Sequence, residues 1–366
     1  MNILIILPTQ LFDKKYIDKV ENIDKIILWE HPHYFKKYNY NKKKLMLHRA
    51  SMKYYFDYLN KYKVEYLEFS KKFKKDNKKK YYIFDPIDIL DVDVDFIIES
   101  PNFLLIRENC MEYRKKTEKF SFRGFYNWGK NIVDILPNVK SKDKYNRQKM
   151  PKNISIPKLP TILKSDKKYI EESTKYIEKH FANNCGNCGN FIYPISHKSA
   201  EKWKLDFLKK KLEKFGPYQD FIFKKEPYLY HSCLSSSLNI GLVCPLDIIN
   251  YLKPKQKNYN INSFEGYIRQ LFWREYQRYT FLYCDFNCNY FGNKKKLTSK
   301  WYIGDIGVEP IDDYIKIAFD TGYLHHIIRL MLIGNFMNLS GISPKEGFKW
   351  FMEFSIDSYE WVMKQN

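Results

Sequence analysis

At 366 residues the chain is long enough for two domains. Its 63 Lys and Arg against 42 Asp and Glu, a formal charge of +21, suit a polyanionic partner, nucleic acid ahead of a membrane surface. No run of 18 apolar residues occurs, which excludes a membrane-spanning helix. Seven cysteines without a cleavable leader imply reduced thiols in an intracellular setting, cytoplasm or nucleus. In chain order, "NILIIL" (2–7), "KIILW" (25–29), "YYIF" (81–84) and "FLLI" (103–106) are short apolar runs suited to buried parallel strands. Helical periodicity between them, as in "KKLMLHRASMKYYFDYLNKY", predicts an α/β domain with a parallel sheet over 1–128.

No GxGxxG follows the first run, so a dinucleotide fingerprint is missing. A basic, proline-bearing stretch reads as a linker over 129–165. From 166 to 366 the pattern predicts an all-helical domain, with segments at 166–181, 198–214, 246–252, 263–283, 311–338 and 345–362. "NCGNCGN" holds Cys185 and Cys188 at metal-ligand spacing, with Cys284 and Cys288 as a second, looser pair. The alternatives there are one four-thiolate site or loops with free thiols.

Four stretches of the helical half carry polar groups at positions that chemistry could use. "FGPYQDF" (215–221) contains Tyr218. In "HSCLSSSLNIGLVCP" (231–245), hydroxyls from Ser232 and Ser235 to Ser237 precede a helix and Gly241, an arrangement open to a phosphate or to a plain N-cap. In "SFEGYIRQLFWREYQRYTFLY" (263–283), Phe264, Tyr267, Ile268, Leu271, Phe272, Tyr276 and Tyr279 form an apolar stripe. A second stripe of Gln270, Trp273, Arg274 and Gln277 places an amide, an indole and a guanidinium in line. In "FDTGYLHHIIRLMLIGNF" (319–336), His326 and Arg329 lie about one turn apart, and such a His can supply a proton.

These stretches, with "HRASMKYYFDYL" (48–59), "WYIGDIGVEP" (301–310) and "DSYEWV" (357–362), resemble the photolyase/cryptochrome family. The nearest branch is that of the deoxyribodipyrimidine photolyase-related proteins, the iron–sulfur bacterial cryptochromes and photolyases. The resemblance implies a Rossmann-like α/β antenna domain followed by an all-α FAD-binding domain. It implies flavin or phosphate contacts at Tyr218, Ser232, Cys233, Leu234, Ser235, Tyr267 and Arg274, and an ion pair of Arg329 with Asp357 beside the flavin ring. Gln270, Trp273 and His326 would line a lesion pocket, with Arg274 also toward DNA, and Trp273 would stack on a flipped-out dinucleotide.

The implied activity is light-driven repair of UV-damaged DNA by reduced FAD. Gln270 and His326 favour the (6-4) photoproduct over the cyclobutane dimer. The alternatives are an FAD photosensor without repair and a flavin-free nucleic-acid-binding relative. Pro310 stands where the branch carries a cluster cysteine, so no iron–sulfur cluster is expected. For electron transfer, Trp301 matches the outer member of the family's tryptophan wire, and Trp350 and Trp361 are substitutes for the rest. An antenna chromophore of unknown identity is a second cofactor. The chain ends at "YEWVMKQN", which leaves a minimal variant or one completed by a separately encoded C-terminal fragment.

Overall fold

The computed structural model describes residues 1–223 and 226–365. Five parallel strands form one sheet: β1 (Asn2–Ile6), β2 (Lys25–Trp29), β3 (Val64–Leu67), β4 (Lys80–Phe84) and β5 (Phe96–Ile98). Their order is β3-β2-β1-β4-β5, with Ile3 opposite Lys25 on one side and Asn2 opposite Lys80 on the other. The order reverses at β1, the arrangement that opens a crevice at the carboxyl ends of the central strands in doubly wound sheets. Ile3 to Leu7 and Ile26 to Trp29 are all buried, as continuous apolar runs covered on both faces should be.

Two expectations about strands need correcting. "FLLI" (103–106) is not a strand. The Leu105 N–H donates to Glu275 and its carbonyl accepts from Arg278 at 2.7 Å, so the segment lies against a helix of the second half. The missing strands are β3 and β5, which stand at the two edges. Both are half-buried or exposed, so they lack the unbroken apolar run that marks a central strand.

The boundary drawn at 128 falls inside the helix Phe122–Val133. Only one short 3₁₀ turn, Asp143–Tyr145, occurs between residues 134 and 163. Beyond it the chain is helical. Two predicted segments are broken. The first, 311–338, stops after Glu309–Thr321 at Gly322, whose φ of +70° ends the helix in the left-handed region. It resumes as a π-helical stretch, Ile328–Gly334, continued by Asn335–Leu339. The second, 345–362, divides into Pro344–Phe354 and Glu360–Met363, with Ser355–Tyr359 between them.

The two halves are joined by buried charge. Arg49, on the helix Lys42–Tyr58, pairs with Glu30 at 2.9 Å, Glu68 at 3.1 Å and Glu172 at 2.6 Å, linking sheet and helical half. Among the described residues no helix is long and apolar enough to cross a membrane.

Candidate flavin and lesion cavity

The helix Ile261–Tyr283 is the spine of the site. Asn260 caps it by accepting from the Asn262 N–H at 2.9 Å. Its first turns lie close against Leu212–Tyr218. A Cβ on Gly216 would come 2.9 Å from Asn262 C and Ser263 Cα, so only glycine allows this approach. The close packing brings Phe215, Gln219 and Tyr267 to one wall of a cavity of about 970 Å³. The opposite wall comes from the two helix breaks, with Tyr323, His325, His326 and Arg329 from one and Asp357 from the other.

At its floor is a buried ion pair. Arg329 Nη2 lies 2.9 Å from Asp357 Oδ1. Burial alone would push the Asp357 carboxyl up, but Arg329 and the hydroxyls of Ser235 and Ser355 outweigh it and hold the group below its ordinary value. The guanidinium reaches this position from the π-helical stretch, whose wider turn shifts the register of the wall. Arg329 Nε also donates to the Leu324 carbonyl.

Several polar groups in the wall lack partners. The Tyr267 hydroxyl is buried and closes no short hydrogen bond, with the Ser232 hydroxyl its nearest partner and its ring held between Phe207 and Phe215 at 4.7 and 5.7 Å. His231 and His325 stack with centroids 4.7 Å apart and planes 13° apart, leaving His231 Nε2 and both His325 ring nitrogens unpartnered. Burial, more than the neighbouring cations, depresses them to about 3 and about 2, so both rings are neutral at neutral pH. His326 stands at the solvent-reached side. Desolvation, then Arg329, holds it below its ordinary value. Gln270 Nε2 approaches Gln219 Oε1 at 3.4 Å, and Asp220 completes this edge. Orphaned groups lining a large cavity are the mark of a site shaped for a polar ligand.

Of the residues singled out in the sequence, Ser232, Cys233, Ser235, Tyr267, Gln270, His326, Arg329 and Asp357 meet at this cavity. Tyr218, Leu234, Trp273, Arg274, Trp301, Trp350 and Trp361 do not line it. The polar stripe is therefore corrected: only its first member faces the cavity. The Trp273 indole packs edge-on against Phe122 at 4.8 Å and lies beside Tyr276. Arg274 is buried at the domain seam. It donates to Asn239 Oδ1 and the Asn102 carbonyl, with its guanidinium over Phe103 and Trp361. Gln277 Nε2 donates to the Val362 carbonyl. The reason is rotation: over two turns the stripe swings from the cavity to the α/β half.

The hydroxyls of 232–237, read as a phosphate site or a plain N-cap, divide between two environments. Ser235 donates to Asp357, while Ser236 and Ser237 are buried away from the cavity. The tryptophans do not form one line. Trp350 Nε1 donates to the Trp301 carbonyl at 2.8 Å and its ring lies tilted against Phe354 at 4.6 Å, whereas Trp361 lies across the seam against Phe103. Tyr218 packs beside Tyr230 at 5.7 Å.

The two thiol pairs do not come together. The Cys185 thiol donates to the Asn39 carbonyl, while Cys284 and Cys288 sit on the loop after the long helix. Among the described residues, the one cluster of three metal-type ligands is His33, Asp88 and Glu360. At the carboxyl ends of β1 and β4 the open space is about 10 Å³, lined by Thr9, Ile87, Phe103 and Trp361 among others. His231, His325 and Gln219 were missed in the sequence. The doubled histidine of 325–326 was the available signal, but a lone His231 carries none.

A five-stranded parallel domain joined to a helical domain is the two-domain fold of photolyases and cryptochromes. A bacterial class III photolyase from Agrobacterium tumefaciens superposes with TM-score 0.66 at 14% identity, over 100% of this chain and 78% of that one. A cryptochrome of Synechocystis sp. PCC6803 superposes with TM-score 0.70 at 13% identity, over 99% and 80%. Residues 4–84 and 87–193, more than half the chain, match the family described as deoxyribodipyrimidine photo-lyase-related protein, and the chain belongs to that family. It is 34% identical over 233 residues to a (6-4) photolyase of Agrobacterium fabrum, covering 61% of this chain and 45% of that protein. The match thus spans less than half of that relative's length. An uncharacterized protein, R853, of Acanthamoeba polyphaga mimivirus is 43% identical over 110 residues, 29% of this chain and 85% of that protein.

Proposed function

We propose that this chain is a light-dependent DNA photolyase that holds FAD in the cavity and repairs pyrimidine lesions, the (6-4) photoproduct ahead of the cyclobutane dimer. The observation that carries this reading is the Arg329–Asp357 pair in the wall of a cavity that also presents Gln270 and His326. A planar, polar ring system suits this donor set, because a paired guanidinium and carboxylate offer a donor and an acceptor in fixed positions. The orphaned Tyr267 hydroxyl and the Ser232 hydroxyl are the groups nearest in kind to what a diphosphate needs. When bound, FAD supplies light absorption and electron donation.

The chain's own residues do the rest. Phe215, Leu324 and Met337 keep the interior dry, Gln270 offers an amide to a base edge, and His326 holds a proton at the side open to solvent. Because His326 is depressed, proton supply improves as pH falls, and a phosphate drawn near it would raise its affinity for the proton. The excess of Lys and Arg draws the DNA backbone. No iron–sulfur cluster and no membrane partner belong to this reading.

The test is direct. Purified protein should show flavin absorption at one equivalent, and under near-UV or blue light it should restore (6-4) lesions faster than cyclobutane dimers. Protein without flavin, or flavin-loaded protein that repairs neither lesion, overturns it. One observation favours a photosensor: among the described residues no indole faces the cavity to stack on a lesion. Flavin photoreduction with no repair of either lesion is the result that selects that second reading.

A further inference from the structure

A second group of polar side chains lies outside the cavity, where the carboxyl ends of the strands meet the end of the chain. His33 follows β2, Asp88 follows β4 and Glu360 opens the helix Glu360–Met363. One ligand atom from each lies within 4.8 Å of the other two. Asp88 is 4% exposed, and neither of its carboxylate oxygens has a hydrogen-bond partner. The Trp361 backbone N–H and the Tyr34 hydroxyl approach it as weak hydrogen-bond donors, outside the geometry of a closed bond.

Nor does a cation neutralise it. Lys44 lies within electrostatic reach, yet its Nζ donates to the Ser358 carbonyl and hydroxyl and rests over the rings of Tyr40 and Tyr359. Glu360 takes contacts from Lys37 and the Tyr38 hydroxyl, both on Oε1. The His33 ring packs against His31 and Tyr34, with Glu360, Lys37 and Lys44 within electrostatic reach. A buried, unpartnered carboxylate is costly, and burial raises Asp88 to about 7. One imidazole and two carboxylates converging on that point are the donor set of a small divalent ion.

We propose that His33, Asp88 and Glu360 bind one divalent cation, Zn²⁺ or Mn²⁺, which fastens the helix Glu360–Met363 to the carboxyl end of the sheet. Tetrahedral ligands about 2.1 Å from an ion stand about 3.4 Å apart, so side-chain rotations of under ~1 Å close the set. The ion would satisfy an orphaned oxygen of Asp88. Its position bears on the cavity, because Asp357 stands three residues before Glu360 and Trp361 covers Arg274.

The experiment uses the full chain, stripped with EDTA and titrated with MnCl₂ while free Mn²⁺ is followed by electron paramagnetic resonance, with ZnCl₂ as competitor. One ion per chain is expected. Asp88→Asn and His33→Ala should each weaken binding by at least ~10-fold, the lower end of what loss of a metal site's supporting group costs. Cys185→Ser with Cys188→Ser should leave Mn²⁺ binding unchanged. His33 is only half-buried, so its variant folds even where a change at Asp88 does not. Mn²⁺ should also slow amide hydrogen exchange over residues 358–365 in the wild type and not in His33→Ala. No bound Mn²⁺ or Zn²⁺, or binding that both variants retain, overturns the proposal. So does binding that disappears with the thiols.

Discussion

In the first half of the helix Ile261–Tyr283, the Tyr267 hydroxyl is buried and closes no short hydrogen bond, and Gln270 turns its amide to a cavity. In the second half, Arg274, Glu275 and Arg278 are each hydrogen-bonded into the α/β domain. Arg278 is fully buried and pairs with Glu99 at 2.9 Å and Asp85 at 3.3 Å. Glu275 accepts from the Leu105 N–H at 3.2 Å. One helix thus holds two kinds of buried polarity. Groups at the seam each make hydrogen bonds or ion pairs within the protein, although Glu275 Oε1 and Arg278 Nε stay unpartnered, while Tyr267 and Gln270 face the cavity. Polar residues in line on a helix do not share a purpose merely because they share a face.

The largest test falls on the cavity side. His326→Asn keeps approximate size but cannot act as an acid, so (6-4) repair should fall by roughly 10²–10⁴-fold with flavin content unchanged. Cyclobutane repair, assayed in parallel under the same light, should keep most of its rate. An equal loss on both lesions would mean His326 positions DNA and does not supply a proton.

Next comes the ion pair. Arg329→Ala leaves Asp357 buried without its cation and should cost about 3–5 kcal/mol in denaturant unfolding, with loss of flavin. The pH dependence follows from the lowered value of Asp357. Its contribution is present at neutral pH and is lost as pH falls through its folded value, below the ordinary carboxylate range near 4. Unfolding midpoints between pH 7 and 3 should show this acid loss in the wild type and not in Arg329→Ala.

The seam gives the opposite sign. Burial raises Glu275 to about 7, above its unfolded value, so the folded state holds the extra proton between about 4.5 and 7. Stability from this group is therefore fullest below that window and declines as pH rises through it. Glu275→Gln should flatten this decline by about 1–3 kcal/mol between pH 5 and 8 without altering flavin binding. A changed flavin spectrum would break the separation between seam and cavity.

The smallest functional effect is expected at Trp273. Its ring packs on Phe122 and Tyr276, so Trp273→Ala should lower stability by about 2 kcal/mol, less than the 3–5 of a fully buried Trp. Preference for damaged over intact DNA should change by less than about 0.5 kcal/mol. A loss of about 1–3 kcal/mol, the worth of one base–aromatic stack, would restore the stacking role that the sequence suggested.

Much of the architecture was legible because the signals are local. Central strands β1, β2 and β4 are unbroken apolar runs, and the helix Ile261–Tyr283 follows its periodicity closely. The edge strands were not legible, since half-exposed residues carry no such run. The cavity residues were found through motif resemblance. His231 was not, because its role comes from stacking on His325, 94 positions away.

The amino-acid sequence alone determined the two-part layout, the basic surface, and the residue types available to the cavity, because composition and periodicity act over neighbouring positions. Only the tertiary structure decided which of those residues meet. It broke two predicted helices at Gly322 and at Ser355–Tyr359, and those breaks set Arg329 against Asp357. It turned Trp273 and Arg274 to the seam while leaving Gln270 in the cavity. A helix presents all its faces in sequence, and which face meets a ligand depends on what packs against the others.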